Sequence, residues 1–251
     1  MPERRICSES VHEALEKNPF EKLSVIVFSI LEDAILSSEL PPGAKLNVTR
    51  LSAELDVSSS PVREAIDQLC ESGLVREEKK VDGKYSNYYV FDISNDSIED
   101  LFVARKTIEG MAAYICAERN WRIDLGELEH LAKEFQSQLK AYGESNEMHP
   151  DVYYSSRMDM EFHTLLVNAT GNKFLIGMYE TIYKKVEYLS IRTNQFMSTR
   201  KNMENLLLLG SQHIAIYRAI RDGEPDAART AMEKHIDFCS RACLLHRYLQ
   251  S

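Results

Sequence analysis

The sequence predicts a mainly α protein: an N-terminal winged helix-turn-helix of three helices and a small β wing, then an antiparallel bundle of six or seven helices. Three observations carry this. The stretch 58-SSSPVREAIDQLCESGLV-75 has the start and stop marks of a short helix, with serines at its cap, Pro61 in the first turn and Gly73 past its end. A second short amphipathic run, 51-LSAELDV-57, ends just before it, and the pair reads as a helix-turn-helix with Arg63 pointing away from the apolar face. From Ser97 onward, apolar residues recur at helical spacing to about residue 247.

Residues 1–19 are polar and predict a mobile arm or a short extra helix. From Phe20 to Ser38, Leu23, Ile26, Val27, Ile30, Leu31, Ala34 and Ile35 mark one helical face. Pro41-Pro42-Gly43 stops that helix, and the next two are expected at about 49–56 and 60–72. A strand follows Leu74, then the tip 82-DGKYSN-87 and the strand 88-YYVFDI-93. Asp82-Gly83 is a hairpin-turn signal, which makes this pair the wing. Residues 20–93 form this first module and 97–247 the second, with 92–98 as the joint between them. In the second module, helices are expected near 96–119, 124–142, 150–170, 172–196, 202–222 and 226–247. Asn95-Asp96-Ser97 caps the first and Gly171-Asn172 separates the third from the fourth.

With 251 residues the chain has room for two domains of ordinary size. It has no apolar run long enough to span a bilayer and no signal-peptide core at its start, so a soluble cytoplasmic protein without a membrane partner is expected. Five cysteines, an odd number, point to reduced thiols.

The helix-turn-helix then becomes specific. Ile35, 41-PPGAKL-46, Leu51, Leu55, Val57-Ser58, 61-PVREAI-66, Leu69 and 73-GLV-75 together resemble the winged helix-turn-helix of the GntR superfamily of bacterial transcription regulators. The resemblance implies a double-stranded DNA partner and contacts from the starts of the second and third helices and from the wing tip. On this sequence those positions are Thr49 and Arg50, then Ser58, Ser59, Ser60 and Arg63, then Lys84 and Tyr85. Arg63 matches the arginine of the family's PVREA motif, and Ser58 and Ser60 match hydroxyl positions that reach phosphates. Ser59 and Thr49 stand where many relatives carry arginines that read guanine edges, so a different operator sequence is implied, with Arg50 placed to compensate.

Charge opposes this reading mildly. The chain carries −9, and residues 20–91 hold 8 Lys/Arg against 12 Asp/Glu, a net of −4. Only the docking face must meet phosphates, so placement matters more than the sum. Arg50, Arg63, Arg76, Lys79, Lys80 and Lys84 are the positives available to gather there. Arg63 also has an ordinary alternative, a surface pair with Asp67 one turn on.

In the second module, Asp159 and His163 are four residues apart and share a helical face. His213 and His235 flank the turn 222-DGEP-225, each 11 residues from Glu224. In an antiparallel hairpin both then stand at one level, about 16 Å from the bend at 1.5 Å per residue. If both face the core they meet. One carboxylate and three imidazoles suit Zn²⁺, Ni²⁺, Mn²⁺ or Fe²⁺, with zinc favoured, better than Ca²⁺ or Mg²⁺. The ordinary alternatives are core histidines with satisfied nitrogens, and Asp159 paired with Arg157 or Lys185. A rival soft site runs along one helix through His235, Cys239 and Cys243, but three in-line residues cannot close a tetrahedron alone. His12, His130, His149 and His246 read as surface residues.

The same four residues match the FCD effector domain of the FadR-like branch of the GntR family, in which an Asp and three His bind a divalent metal. The segment 102-FVARKTIEGMAAYICAE-118 also resembles that domain's first helix, so the likeness covers about residues 20–247. It implies an open coordination position for a small organic acid. Arg105 matches an arginine of that helix and could meet the acid, unless it only pairs with Glu109. Asn172, Tyr183, Arg192 and Tyr217 are further candidates for the pocket wall. The expectation is a homodimeric regulator, a repressor on a palindromic operator, and not an enzyme. A metal-dependent enzyme acting on a small carboxylic acid and an architectural DNA binder with a structural metal are the alternatives.

Overall fold

The computed structural model describes residues 6–37, 39–79, 86–92, 95–144, 152–197 and 203–248. The chain divides into two compact units, Met1–Ile93 and Ser94–Ser251. In the first, α1 (Ser8–Lys17) and α2 (Leu23–Leu36) precede the short strand β1 (Lys45–Leu46), then come α3 (Val48–Leu55) and α4 (Ser59–Glu71), and β2 (Val75–Lys79) and β3 (Ser86–Val90). The polar N-terminal stretch thus holds a helix, which packs on α2 and α3 and buries Val11. Helix α2 starts at Leu23, later than periodicity suggests, and Phe20 is left 97% exposed ahead of it.

Ile30, Leu31, Ala34 and Ile35 of α2 pack on Val62, Ala65, Ile66 and Leu69 of α4, and α4 packs in turn on α3 with Leu51 and Leu55, all buried. Asn47 caps α3, its side chain accepting from the Arg50 backbone N–H at 3.1 Å. The turn between α3 and α4 passes through Asp56 in the left-handed region, φ 51°. Ser58 takes the extended backbone of a cap at the start of α4, but its hydroxyl makes no cap hydrogen bond. The expected serine cap is therefore a backbone feature only. At the other end Gly73 has φ +77°, and the bonds from Gly73 N–H to Cys70 O and from Leu74 N–H to Leu69 O close the last turn.

The sheet has the order β1-β3-β2, all antiparallel. Val75 faces Val90 and Lys79 faces Ser86, which makes β2 and β3 the arms of the wing. Strand β1 joins them through Lys45 opposite Tyr89. Sequence periodicity misses this strand because two residues cannot display alternation. Lys80 and the tip, with Lys84 and Tyr85, lie outside the described residues.

In the second unit six α-helices appear among the described residues: α5 (Asn95–Glu118), α6 (Leu125–Glu144), α7 (Val152–Ala169), α8 (Lys173–Met197), α9 (Met203–Arg221) and α10 (Pro225–Tyr248). A single 3₁₀ turn, Asn120–Arg122, links α5 to α6. Helix α10 lies along α5 and α9, α6 lies against α9 and α7, and α7 packs on α8 and α5. Phe135, Phe162, Leu128, Leu139, Leu166, Ile216, Ile220, Met232 and Ile236 fill the interior. Gly210 brings α9 onto α6: a Cβ there would stand 3.1 Å from Gln136 Cα and 3.2 Å from Leu139 Cδ1. That close approach carries His213, one turn further on, into the core. All five cysteines are free thiols.

Because Ile66 is fully buried where α4 meets α2, Ile66→Ala should destabilise the first unit by about 2–5 kcal/mol. Urea denaturation followed by circular dichroism checks this; an unchanged midpoint would place the core of that unit elsewhere.

Candidate metal centre and nucleic-acid interface

Asp159 and His163 from α7, His213 from α9 and His235 from α10 converge inside the bundle, with one ligand atom of each lying within 4.8 Å of all the others. Each histidine is 0% exposed and Asp159 is 4% exposed. The helical hairpin closes as its symmetry about Glu224 requires, and the His213 and His235 rings come 4.7 Å apart. His163 Nε2 is 3.1 Å from His235 Nε2 and 3.6 Å from Asp159 Oδ1, while His213 Nε2 is 3.3 Å from that same oxygen. All three rings thus turn Nε2 toward one point.

Two buried atoms decide what the cluster can do. Asp159 Oδ1 and His213 Nε2 make no hydrogen bond among the described residues, although each is sealed from water. Their separation is an electrostatic contact without hydrogen-bond alignment. An unpartnered buried acceptor costs about 1–3 kcal/mol, and a cation at the common point would satisfy both. The donor set fits a divalent transition metal.

The electrostatics agree. Burial works to raise the pKa of Asp159, but His163 and His213 outweigh it and hold the carboxyl well below its ordinary value. Burial, reinforced by the charges of His213 and His163, pushes His235 well down, which leaves a neutral imidazole fit to donate a lone pair. Burial also lowers His213. His163 goes the other way: burial opposes its charge, yet the Glu109 carboxylate overcomes that and raises its pKa.

Neighbours hold the four side chains in place. Ser190 Oγ donates to Asp159 Oδ2 at 2.9 Å, and Arg157, one of the alternative partners for that carboxylate, stacks over Tyr154. His235 Nδ1 is 3.1 Å from Gln212 Oε1. His213 is stacked on Phe162, ring centroids 4.4 Å apart, with Phe135 also adjacent. Cys239 Sγ lies 3.7 Å from His235 Nε2, but neither it nor Cys243 belongs to the four-donor group, and burial pushes the Cys239 thiol up to about 12.

A small cavity of about 20 Å³ adjoins the cluster, room for roughly one water. Its wall includes Arg105, Asp159, Ser190, Thr193, Asn194 and Cys239. Arg105 is buried and does both things open to it: Nε donates to Glu109 Oε1 at 2.7 Å, while Nη2 makes no hydrogen bond among the described residues. The other expected wall residues are elsewhere. Asn172 caps α8, its side chain accepting from the N–H groups of Phe174 and Leu175. Tyr183 packs beside Tyr179 in a separate apolar cluster with Ile108, Ala112 and Val167. Tyr217 lies under Arg221. Helix α8 carries Arg192, but its side chain lies outside the described residues.

Sequence reasoning missed Gln212, Ser190, Thr193 and Asn194, which carry no motif of their own. Glu109 was visible only as an i,i+4 partner of Arg105. His12 and His130 are exposed, as read; His149 and the His246 side chain lie outside the described residues.

In the first unit, Thr49, Arg50, Ser58, Ser59, Ser60 and Arg63 are all exposed at the starts of α3 and α4. Arg63 makes no ion pair among the described residues, so the alternative pairing with Asp67 is not formed. Arg50 is engaged with Glu54 at 2.8 Å, an exposed pair of little energetic weight that a phosphate can displace. Glu64, an unwelcome negative beside this face, is neutralised by Lys22 at 2.8 Å.

A winged helix-turn-helix unit and a helical unit enclosing a candidate metal centre define a DNA-binding regulator with an effector module. The family comparisons agree: the model of the gntR family of bacterial regulatory proteins matches residues 23–81, and that of the FCD domain matches residues 100–238. The chain belongs to the GntR family, with the FCD domain of its FadR-like architecture, and is a transcription regulator of that family. It is similar to the HTH-type transcriptional regulator LutR of Bacillus subtilis, 29% identical over 80% of this chain and 92% of LutR. It is also similar to the HTH-type transcriptional repressor NanR of Klebsiella aerogenes, 25% identical over 91% of this chain and 88% of NanR. Two solved structures share the fold. A GntR regulator from Rhodococcus sp. RHA1 has a TM-score of 0.65 at 20% identity, covering 88% of this chain and 97% of its own. Escherichia coli McbR/YncC has 0.64 at 16%, covering 92% and 100%. Among the described residues no helix is long and apolar enough to cross a membrane.

Since His213 contributes packing as well as a nitrogen, His213→Phe keeps an aromatic ring between Phe135 and Phe162 while removing the ligand. Wild-type protein should gain thermal stability on adding Zn²⁺, Mn²⁺ or Ni²⁺ and lose it again with chelator, by mass action. Differential scanning fluorimetry of the variant should show no such response.

Proposed function

We propose that the protein is a homodimeric repressor that binds a palindromic DNA operator and releases it when a small organic acid enters beside a Zn²⁺ in the FCD domain. The observation that carries this is the Arg105 guanidinium, buried with Nη2 unpartnered, on the wall that it shares with the metal-ligating Asp159. An open metal position and a guanidinium facing one small cavity suit the two oxygens of a carboxylate. The ion, when bound, supplies a Lewis-acidic position for one of those oxygens. Arg105 supplies the charge and hydrogen bond for the other, and Ser190, Thr193 and Asn194 set polar specificity.

The cavity is nearly filled without ligand. An acid larger than a water must displace part of the wall, which α8 supplies through Leu189, Ser190, Thr193 and Asn194. Displacement of a packed helix is the differential interaction that a ligand needs to shift a two-state equilibrium. Dimerisation follows from the reading of two half-sites, because one recognition helix contacts too few base pairs for genomic specificity. Arg63, exposed and without an ion pair among the described residues, reads bases; Ser58 and Ser60 position the helices on phosphates, and Thr49 and Ser59 stand at base-facing positions with Arg50 in reserve. The relatives are named as regulators, which favours this reading over an enzyme.

Two measurements test it. Arg63→Ala should weaken binding to DNA from the gene's own upstream region by about tenfold or more, the worth of a good base contact of about 1–3 kcal/mol; fluorescence anisotropy reads this, and unaltered affinity would remove Arg63 from the interface. Zinc-loaded protein screened against small carboxylic acids should show one that both raises the melting temperature and weakens DNA binding. Arg105→Lys, which keeps a cation beside Glu109, should lose that response. A metal that is only structural predicts no response to any acid, and turnover of an acid would instead establish an enzyme.

A further inference from the structure

Glu109 lies outside the four-residue cluster, yet it is 0% exposed and stands directly behind one of its members. Its Oε1 accepts from Arg105 Nε at 2.7 Å, and its Oε2 lies 2.5 Å from His163 Nδ1. The latter contact is short and falls outside hydrogen-bond alignment. The opposite nitrogen of the same ring, Nε2, faces His235 and Asp159. We propose that Glu109 is a positioning residue for the metal: it holds His163 in the tautomer with the proton on Nδ1, so that the Nε2 lone pair points to the ion. This rests on the reading of the cluster as a metal site.

The three histidines are held differently, and that contrast gives the inference its content. His235 has a neutral amide oxygen, Gln212 Oε1, behind its Nδ1. His213 Nδ1 has no hydrogen-bond partner among the described residues, and the ring is held by stacking on Phe162. Among the described residues only His163 is backed by a carboxylate, and that carboxylate is itself locked by a buried guanidinium. A carboxylate behind an imidazole both fixes its tautomer and makes its far nitrogen a stronger donor, and loss of such a partner costs about 10–100-fold in metal affinity. His163 is therefore the strongest of the three donors, and Arg105 reaches the cluster through Glu109 as well as through the cavity wall.

The simpler alternative is that Arg105 and Glu109 are only a buried ion pair that stabilises α5. Zinc affinity separates the two, measured on the full chain by competition with a chromophoric chelator, with metal-free melting temperatures recorded in parallel. Glu109→Ala should bind Zn²⁺ about 10–100-fold more weakly than wild type. Glu109→Gln, which keeps an oxygen acceptor for Nδ1–H, should recover part of that loss. Because Glu109→Ala strands a buried guanidinium, Arg105→Met/Glu109→Met removes both charges and should show the same weakening in a folded protein. Nitrogen-15 spectra of the imidazoles should find the His163 proton on Nδ1 in zinc-loaded wild type and lost from that fixed position in the double variant. Wild-type zinc affinity in a folded Glu109→Ala or in the double variant would overturn the proposal, as would a Glu109→Gln no better than Glu109→Ala. Failure of the wild type to bind zinc would instead overturn the metal site itself.

Discussion

A carboxylate and three imidazoles buried at one point of a helical bundle are costly to desolvate, and much of the second unit is organised around that cost. Three of the four groups have polar partners on other helices, and His213 is held by stacking on Phe162. Ser190 on α8 bonds one oxygen of Asp159, Glu109 on α5 backs His163, and Gln212 on α9 backs His235. Among the atoms these partners leave without a hydrogen bond, Asp159 Oδ1 and His213 Nε2 face the centre of the cluster. A buried polar network is stable only when every member is paired, so the bundle is incomplete as an apolar object. A cation at the common point would complete it.

The same arrangement links recognition to packing. The cluster draws on α7, α9 and α10, while its outer partners come from α5, α8 and α9. Five of the six helices therefore contribute to one small cluster. Arg105 is the point where the two layers touch, since one edge of its guanidinium is committed to Glu109 and the other borders the cavity beside Asp159. A ligand that engages the free edge acts on a side chain already coupled to His163. Local chemistry and helix placement are not separable here.

The first unit follows a different logic. Its core is mainly apolar and, among the described residues, its charged side chains are not buried, so charge balance rather than desolvation governs. The net negative charge of the module looks hostile to a polyanionic partner, yet Lys22 covers Glu64, and Arg63 stands free on the exposed side of α4. Placement overrides the sum, because phosphates meet only one face.

Much of this was legible in the residues. The Ser-Pro start and Gly73 stop of α4 and the equal spacing of His213 and His235 about Glu224 each express a local rule. Such rules involve only backbone geometry and periodicity, so the chain order by itself determined the elements, their approximate limits and the set of four donors. Tertiary structure decided the rest. Arg105 could have served Glu109 or the cavity and serves both; Asn172 caps a helix instead of lining a pocket; Tyr183 and Tyr217 turn to other neighbours. Glu109 and Gln212 gained their places behind two histidines only when the helices packed. The reason is physical: spacing along a helix fixes which face a residue occupies, but its partner depends on the rotation and distance of the next helix, set by contacts such as that of Gly210 against α6.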